Sequence, residues 1–397
     1  MRLFVLGNFL SNTGTWAQRI AVGWLTFELT GSASWVGVVA ACEVVPSFIV
    51  QPLGGVLVDR THKWKLLVLG QGLAALQALA LTFGAALEML SLPFLLCCAL
   101  VLGLLEGINQ PSRLSMVGDL APNSLLRPTI ALNSFANNTA RFAGPMVGGA
   151  ALGFSGPTLA FALNAASFIP LLMVVLGMRR LPMVSAASTA QTSLLGGIPE
   201  GLSYIRHHPL FSVVLAMALA LSLCSRSVIE LLPAISGLWF DGRSEILAAM
   251  TTSVGLGAMA GGIWMLSRSD LDAVLLAVLT LPGLMVLSIF ALSFAGIYVW
   301  ASYALLAVLG FCAVGSGVGM QSIIHLNVDT EFRGRVLSVY GLIQRGIAAL
   351  GAVLIGVSAD HFGMRPSLVA ACSLAMVAWV LAWRKRQTLA SYLRAEL

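Results

Sequence analysis

Charge is scarce in this chain. Asp, Glu, Lys and Arg make up 10% of its 397 residues, against 58% hydrophobic ones and a mean hydropathy of +0.92. A soluble domain carries roughly 25% charged residues, so a soluble fold is excluded and a polytopic membrane protein remains. Cysteine is sparse too. Cys42, Cys97, Cys98, Cys224, Cys312 and Cys372 all fall in apolar stretches, and none has metal-ligand spacing. They read as small buried hydrophobes, which leaves no disulfide, redox or metal argument. No GxxxxGKS/T loop occurs, so ATP-driven transport by this chain alone is not expected. No enzyme constellation appears, and no cofactor is implied. The first apolar stretch, from Leu3 to about Leu29, lacks a short h-region with a cleavage site and is expected to stay as a helix. The net charge of +6 would suggest nucleic acid in a soluble chain. Here its placement sets topology and argues against a nucleic-acid partner.

What the chain does have is long hydrophobic runs. Windowed against turn signals, they predict twelve spans. Their limits are 3–29, 34–57, 66–87, 92–117, 128–153 and 157–178, then 209–238, 244–267, 272–293, 297–326, 335–359 and 366–383. The expected fold is all-α and integral to the membrane, with two pseudo-symmetric six-helix bundles at 1–178 and 209–397. A cytoplasmic linker, 179–208, joins them and holds a possible amphipathic helix around Leu194–Arg206. With both termini cytoplasmic, sixteen Lys and Arg residues fall on the inner side. Arg113, Arg333 and Arg335 are among them, and only Arg243 and Arg365 lie in outer loops. That asymmetry satisfies the positive-inside rule. A chain of this kind resides in the inner (plasma) membrane as a multi-pass protein surrounded by the lipid bilayer.

The polar turn at Gly54–Lys65, GGVLVDRTHKWK, crowds Asp59, Arg60, His62, Lys63 and Lys65 between two apolar spans. The fifth span carries AGPMVGG, with Gly144, Pro145, Gly148 and Gly149, where proline and glycine should bend the helix and allow close packing. The fifth and eleventh spans also echo one another. LLRPTIALNSFANNTARFAGPMVGG and EFRGRVLSVYGLIQRGIAALGAVLIG each start on basic residues, turn polar mid-span and end glycine-rich. Together these residues resemble the major facilitator superfamily, in its loop between helices 2 and 3 and its fifth-helix GPxxGG motif of antiporters and drug exporters. FELTGSASWVG and RGRVLSVYGL look like the bacterial exporter branch that includes the enterobactin exporter. The resemblance implies a cytoplasmic gate formed by Gly55, Asp59, Arg60 and Lys63, with Asp59 reaching the region of Arg333 and Arg335. His62 and Trp64 depart from the loop pattern, which leaves the turn geometry open.

Ionised residues inside spans mark function by default. They are Arg19, Glu43, Glu106, Arg141, Arg226, Glu230 and Arg345, and the third, sixth, ninth and twelfth spans carry none. Every third helix is therefore expected to face lipid. Helical spacing puts Asn8, Asn12, Thr15 and Arg19 on one face, and likewise Glu106, Asn109, Gln110 and Arg113, and Ser134, Asn137, Asn138 and Arg141. Each stripe serves equally to glue helices together or to line a cavity. Arg226 and Glu230, four apart, are close enough to pair. The expected substrate-binding residues are Arg19, Glu106, Asn137 and Arg141 in one half, and Arg226, Gln344 and Arg345 in the other. Glu43, Glu106 and Glu230 are the proton-coupling candidates, since burial raises a carboxyl toward neutrality.

These features predict a secondary active transporter. It would be a proton-coupled exporter of small amphiphilic or anionic compounds, siderophore- or drug-like, working by alternating access as a monomer. Two alternatives stay open: a lysophospholipid-type flippase or facilitator, and a transporter-like sensor or scaffold without flux.

Overall fold

The computed structural model describes residues 1–120, 125–178, 194–268, 270–295, 298–329 and 331–388. Arg179 and Arg180 of the linker, Ser269 and Arg394 lie outside the described residues. Among those described there is helix and no strand. The first elements are α1 (Arg2–Thr30), α2 (Ala33–Arg60), α3 (Lys63–Ala86), α4 (Leu92–Leu120) and α5 (Leu126–Gly177). They are followed by α6 (Leu194–His207), α7 (Pro209–Leu221), α8 (Ser227–Glu230), α9 (Leu232–Trp239), α10 (Ser244–Leu266) and α11 (Leu271–Ala295). The last are α12 (Val299–Asn327), α13 (Arg333–Leu342), α14 (Ala348–Phe362) and α15 (Met364–Arg384). Two wide π-turns, Ser222–Arg226 and Ile343–Ile347, join α7 to α8 and α13 to α14.

Among the described residues, ten helices are long and apolar enough to cross a membrane. One of them, α5, contains both the fifth and the sixth span. Its backbone leaves helical geometry at Ser155 and at Gly156, where φ is +72°. Only glycine takes that conformation cheaply, so the hairpin turns there, and Pro145 stays within helical backbone instead of breaking it. Counting the two arms of α5 separately and adding α1 gives twelve. α1 has the length, but its polar residues lower its hydropathy. It ends at Gly31, whose left-handed φ of +62° lets its N–H cap the Phe27 carbonyl.

The helices group into two compact units. The first comprises Met1–Gly31, Val39–Gln191 and Arg243–Thr252; the second comprises Ser32–Val38, Thr192–Gly242 and Ser253–Leu397. In the first, α1 lies along α5. Phe4, Leu67, Met116, Val117, Leu171 and Val175 form one core cluster, and Ala74, Ala78, Leu102, Ala165 and Phe168 another. A buried amide chain threads these helices: Asn164 donates to Gln18, Gln18 to Gln77, and Gln77 to the Cys98 carbonyl. Inside a bilayer such groups have no water to turn to, so satisfying one another fixes the helix register. Large apolar side chains stand exposed on α3 (Leu69, Leu76, Phe83), on the second arm of α5 (Ile169, Met173), on α11 (Leu276, Leu287, Phe294) and on α15 (Leu374, Val377, Leu381). Other spans expose large apolar side chains too, among them Ile49 and Leu53 on α2 and Ile263 on α10, so this exposure alone does not single out the third, sixth, ninth and twelfth spans.

In the second unit, Asp360 at the end of α14 caps the start of α2. Its carboxylate accepts from the Ala33 N–H at 2.9 Å, the Ser34 N–H at 3.1 Å and the Ser32 hydroxyl at 2.6 Å. First-turn N–H groups otherwise lack partners, and an anion there also meets the positive end of the helix dipole. Asp360→Ala is expected to lower stability by about 1 kcal/mol, read as an earlier thermal unfolding midpoint. The helix α6, foreseen in the linker, is held by a stack on the same unit. The Tyr204 ring lies 4.0 Å from His208 and 4.6 Å from Phe332, and its hydroxyl donates to Asp329 at 3.0 Å.

Candidate functional site

In the first unit the polar stripes of α1, α4 and α5 meet. Asn8 donates to Asn133 at 3.0 Å and to Asn137 at 3.1 Å, and Asn12 donates to Asn137 at 2.6 Å. Asn12 in turn accepts from Arg113, whose other nitrogen reaches Ser11 at 3.4 Å and Glu106 at 3.5 Å. Asn137 is therefore the acceptor hub between α1 and α5, and Arg113 ties α4 to α1. Arg113 was placed by sequence at the cytoplasmic edge, yet it is 6% exposed. Its side chain folds back along α4 because Glu106, two turns earlier, offers the carboxylate that a desolvated guanidinium requires. Asn8 Oδ1 and Arg113 Nε are buried without a hydrogen-bond partner among the described residues, so the ladder retains polar capacity.

One to two turns further along α1 stands a charged cluster. Arg19 pairs with Glu43 of α2 at 2.6 Å. Its guanidinium also lies 4.1 Å from the centroid of Trp16, and Arg141 approaches the same ring at 5.3 Å. An indole ring attracts cations through its quadrupole, so Trp16 gathers two arginines onto one spot. Sequence reading named both arginines and passed over the tryptophan, because an aromatic in an apolar span looks like packing.

Glycines set this geometry. A side chain at Gly144 would strike Trp16 and the Thr13 carbonyl, and one at Gly148 would stand 2.5 Å from the Ala17 oxygen. A side chain at Gly149 would stand 2.6 Å from the Ala248 Cα, and the Pro145 carbonyl accepts from Thr251 at 3.3 Å. The AGPMVGG segment thus seats α1 at the turn that carries Trp16 and Arg19. On α4, Gly103 presses on the backbone carbonyl of Glu43 and Gly107 on that of Ser47, which fixes the carboxylate's stem.

In the second unit, Arg226 and Arg345 each sit in a π-turn, a feature frequent at functional sites. The Ser222 hydroxyl donates to Gln344 at 3.3 Å, bridging the two turns. Ser222, Arg226, Ser316, Gly317, Met320 and Gln344 line a narrow recess. The expected Arg226–Glu230 pair does not form among the described residues. A π-turn ends at Arg226 and the helix stops at Glu230, so the two charges act on each other through space without reaching ion-pair distance.

The loop residues hold more local roles. Asp59 and Arg60 are exposed. Lys63 binds both oxygens of Asp119, at 2.8 and 3.1 Å, tying the start of α3 to the end of α4. Gly54 makes the close approach: a side chain there would stand 2.5 Å from the Gly107 oxygen, while space is open around Gly55. Arg335 pairs with Glu200 at 3.0 Å and with Glu331 at 4.0 Å, and Arg333 donates to the Val328 carbonyl at 3.4 Å.

Membrane-length helices wrapped around buried, mutually bonded polar side chains define the class: this is a polytopic α-helical membrane transporter. The family model described as transmembrane secretion effector matches residues 1–391, and the chain belongs to that family of the major facilitator superfamily. It is 22% identical over 375 residues to the staphyloferrin A transporter of Staphylococcus aureus, covering 91% of this chain and 90% of that protein. It is 24% identical over 337 residues to the enterobactin exporter EntS of Shigella flexneri, covering 84% and 75%. Among solved structures, the nucleoside transporter NupG matches with a TM-score of 0.72 at 12% identity, over 96% of this chain and 98% of that one. A bacterial homologue of the human lysosomal transporter Spinster, inward-facing and occupied, matches at 0.71 and 14% identity, over 96% of each chain. At those identities the structural likeness speaks for the fold alone.

Proposed function

We propose that this protein exports a small anionic or amphiphilic compound by alternating access, with proton movement coupled through Glu43 and Glu106. The observation that carries the reading is the convergence of Arg19 and Arg141 on Trp16 beside the Glu43 carboxylate. Cations gathered in a site of low dielectric draw in an anion. An aromatic face next to them suits the apolar part of an amphiphile. The carboxylate supplies the link to protons. While ionised, Glu43 occupies Arg19; once neutralised by a proton it releases that guanidinium to substrate. Glu106 stands in the same relation to Arg113 at 3.5 Å. The relatives named as a siderophore transporter and an exporter favour a siderophore-like load moving outward.

Carboxyfluorescein, an anionic amphiphile, is the probe in vesicles reconstituted with purified protein. Its flux is expected to respond to an imposed pH gradient. Glu43→Gln and Glu106→Gln should each flatten that response while leaving the protein folded. Flux of wild type indifferent to pH, with both variants behaving alike, would remove proton coupling from the reading.

A further inference from the structure

We infer that the recess between the two π-turns of the second unit is an oxyanion subsite. It would grip one carboxylate or similar compact oxyanion of a larger substrate through Arg226 and Gln344. The inference rests on the reading above and adds a second anchor with a defined chemistry.

Hydrogen-bond accounting leads to it. Arg226 is half-buried, and no carboxylate lies within 4.0 Å of it among the described residues. Arg19, Arg113 and Arg335, by contrast, each hold a glutamate. Glu230, one turn on, acts on Arg226 through space but not at ion-pair distance, and a guanidinium in a membrane span without a direct carboxylate contact is costly to keep. Its surroundings are arranged to present donors. The Gln344 carbonyl oxygen is occupied by the Ser222 hydroxyl at 3.3 Å, which leaves the amide of this recess-lining residue its N–H groups to donate. The Ser316 hydroxyl gives its proton to the Cys312 carbonyl at 2.7 Å. The Gly317 carbonyl, which would repel an anion, accepts from the Tyr340 hydroxyl at 3.0 Å. What remains to meet a ligand is a planar fork of N–H groups and an amide N–H pair, a donor set that matches a carboxylate or phosphate face.

Shape limits what enters. A side chain at Gly317 would stand 3.7 Å from Arg226 Nη2, so the glycine keeps one flank of the guanidinium clear. Met320 and Met285 close the far wall with flexible apolar surface. The wide turns make the fork possible. The Ser227 hydroxyl bonds the Ser222 carbonyl, five residues back, at 3.1 Å and the Ala348 carbonyl at 2.9 Å. This locks the first π-turn open and ties it to α14.

The test is equilibrium binding of benzoate, phenyl phosphate and neutral benzamide to the purified full-length chain in maltoside micelles. Benzoate is expected to bind and benzamide not to. Arg226→Gln should weaken benzoate at least ten-fold, and Arg226→Lys should weaken it less. Gln344→Glu, which places a carboxylate beside Arg226, should close the site with the protein still monodisperse and folded. Phenyl phosphate binding in place of benzoate, with the same loss in Arg226→Gln, would assign the oxyanion as a phosphate. Equal binding of benzamide, or absence of binding by both anions, overturns the inference. So does unchanged benzoate affinity in Arg226→Gln alongside loss of carboxyfluorescein flux in Arg19→Gln. That last result would leave the proposed export standing.

Discussion

Arg19→Gln is expected to abolish flux and to destabilise the protein by about 3 kcal/mol. The substitution withdraws the guanidinium 2.6 Å from Glu43, a carboxylate only 9% exposed at its side chain. Breaking a buried pair costs about 3–5 kcal/mol, because the remaining ion has lost the water that once solvated it. The lower end applies here, since the Arg19 side chain is 23% exposed and partly screened. Stability and function should then separate in a second variant. Arg19→Gln/Glu43→Gln removes both charges and can keep an amide–amide contact, so its unfolding midpoint should return close to that of the wild type. Flux should stay lost, because neither the cation nor the titrating carboxyl is present. Thermal unfolding and carboxyfluorescein flux measured on the same preparations check both halves. A double variant no more stable than the single one would show that the loss does not come from the stranded carboxylate.

The next largest effect is expected at Arg113. Its guanidinium serves Asn12, Ser11 and Glu106 together, and Asn12 passes the constraint on to Asn137 at 2.6 Å. Arg113→Met fills the volume but strands the Glu106 carboxylate and one lone pair of Asn12. A loss of about 3 kcal/mol follows, with flux falling in proportion to the disordering of the ladder. Arg113→Lys should recover part of it: the charge returns, the flat fork does not. The ladder also predicts non-additivity. In a cycle with Asn137→Ala, the two changes should couple by about 0.5–3 kcal/mol, as groups sharing one hydrogen-bond network do. Additive losses would mean that Arg113 and Asn137 act separately.

How much of this could be read beforehand differs from one residue to the next. The helical fold and the joining helix at Leu194–His207 follow from hydropathy and turn chemistry, which act within a few residues. The stripe Asn8–Asn12–Arg19 is likewise a matter of spacing along one helix. Partners are not. Nothing in the periodicity of α4 says that Arg113 turns inward to Glu106 instead of outward to lipid headgroups, since a long side chain near a helix end reaches either way. Asp360 looked like a loop residue; its role as a cap for a helix more than three hundred positions earlier exists only once both are placed. The π-turns carry no sequence mark, so the Arg226–Glu230 spacing misled. AGPMVGG signalled the close packing seen at Gly144, Gly148 and Gly149, and the break between the fifth and sixth spans falls at Ser155 and Gly156, between the limits 128–153 and 157–178 read from hydropathy. There a left-handed glycine decides the path.

The approach of Arg19 and Arg141 to the Trp16 ring has an optical side. Indole emission shifts with the electric field across the ring, and two guanidinium groups set that field here. Any event that draws either arginine aside alters the colour and yield of this fluorophore before a single helix has moved. The chain has nine tryptophans; with the other eight replaced by phenylalanine, this one would make the protein its own voltmeter.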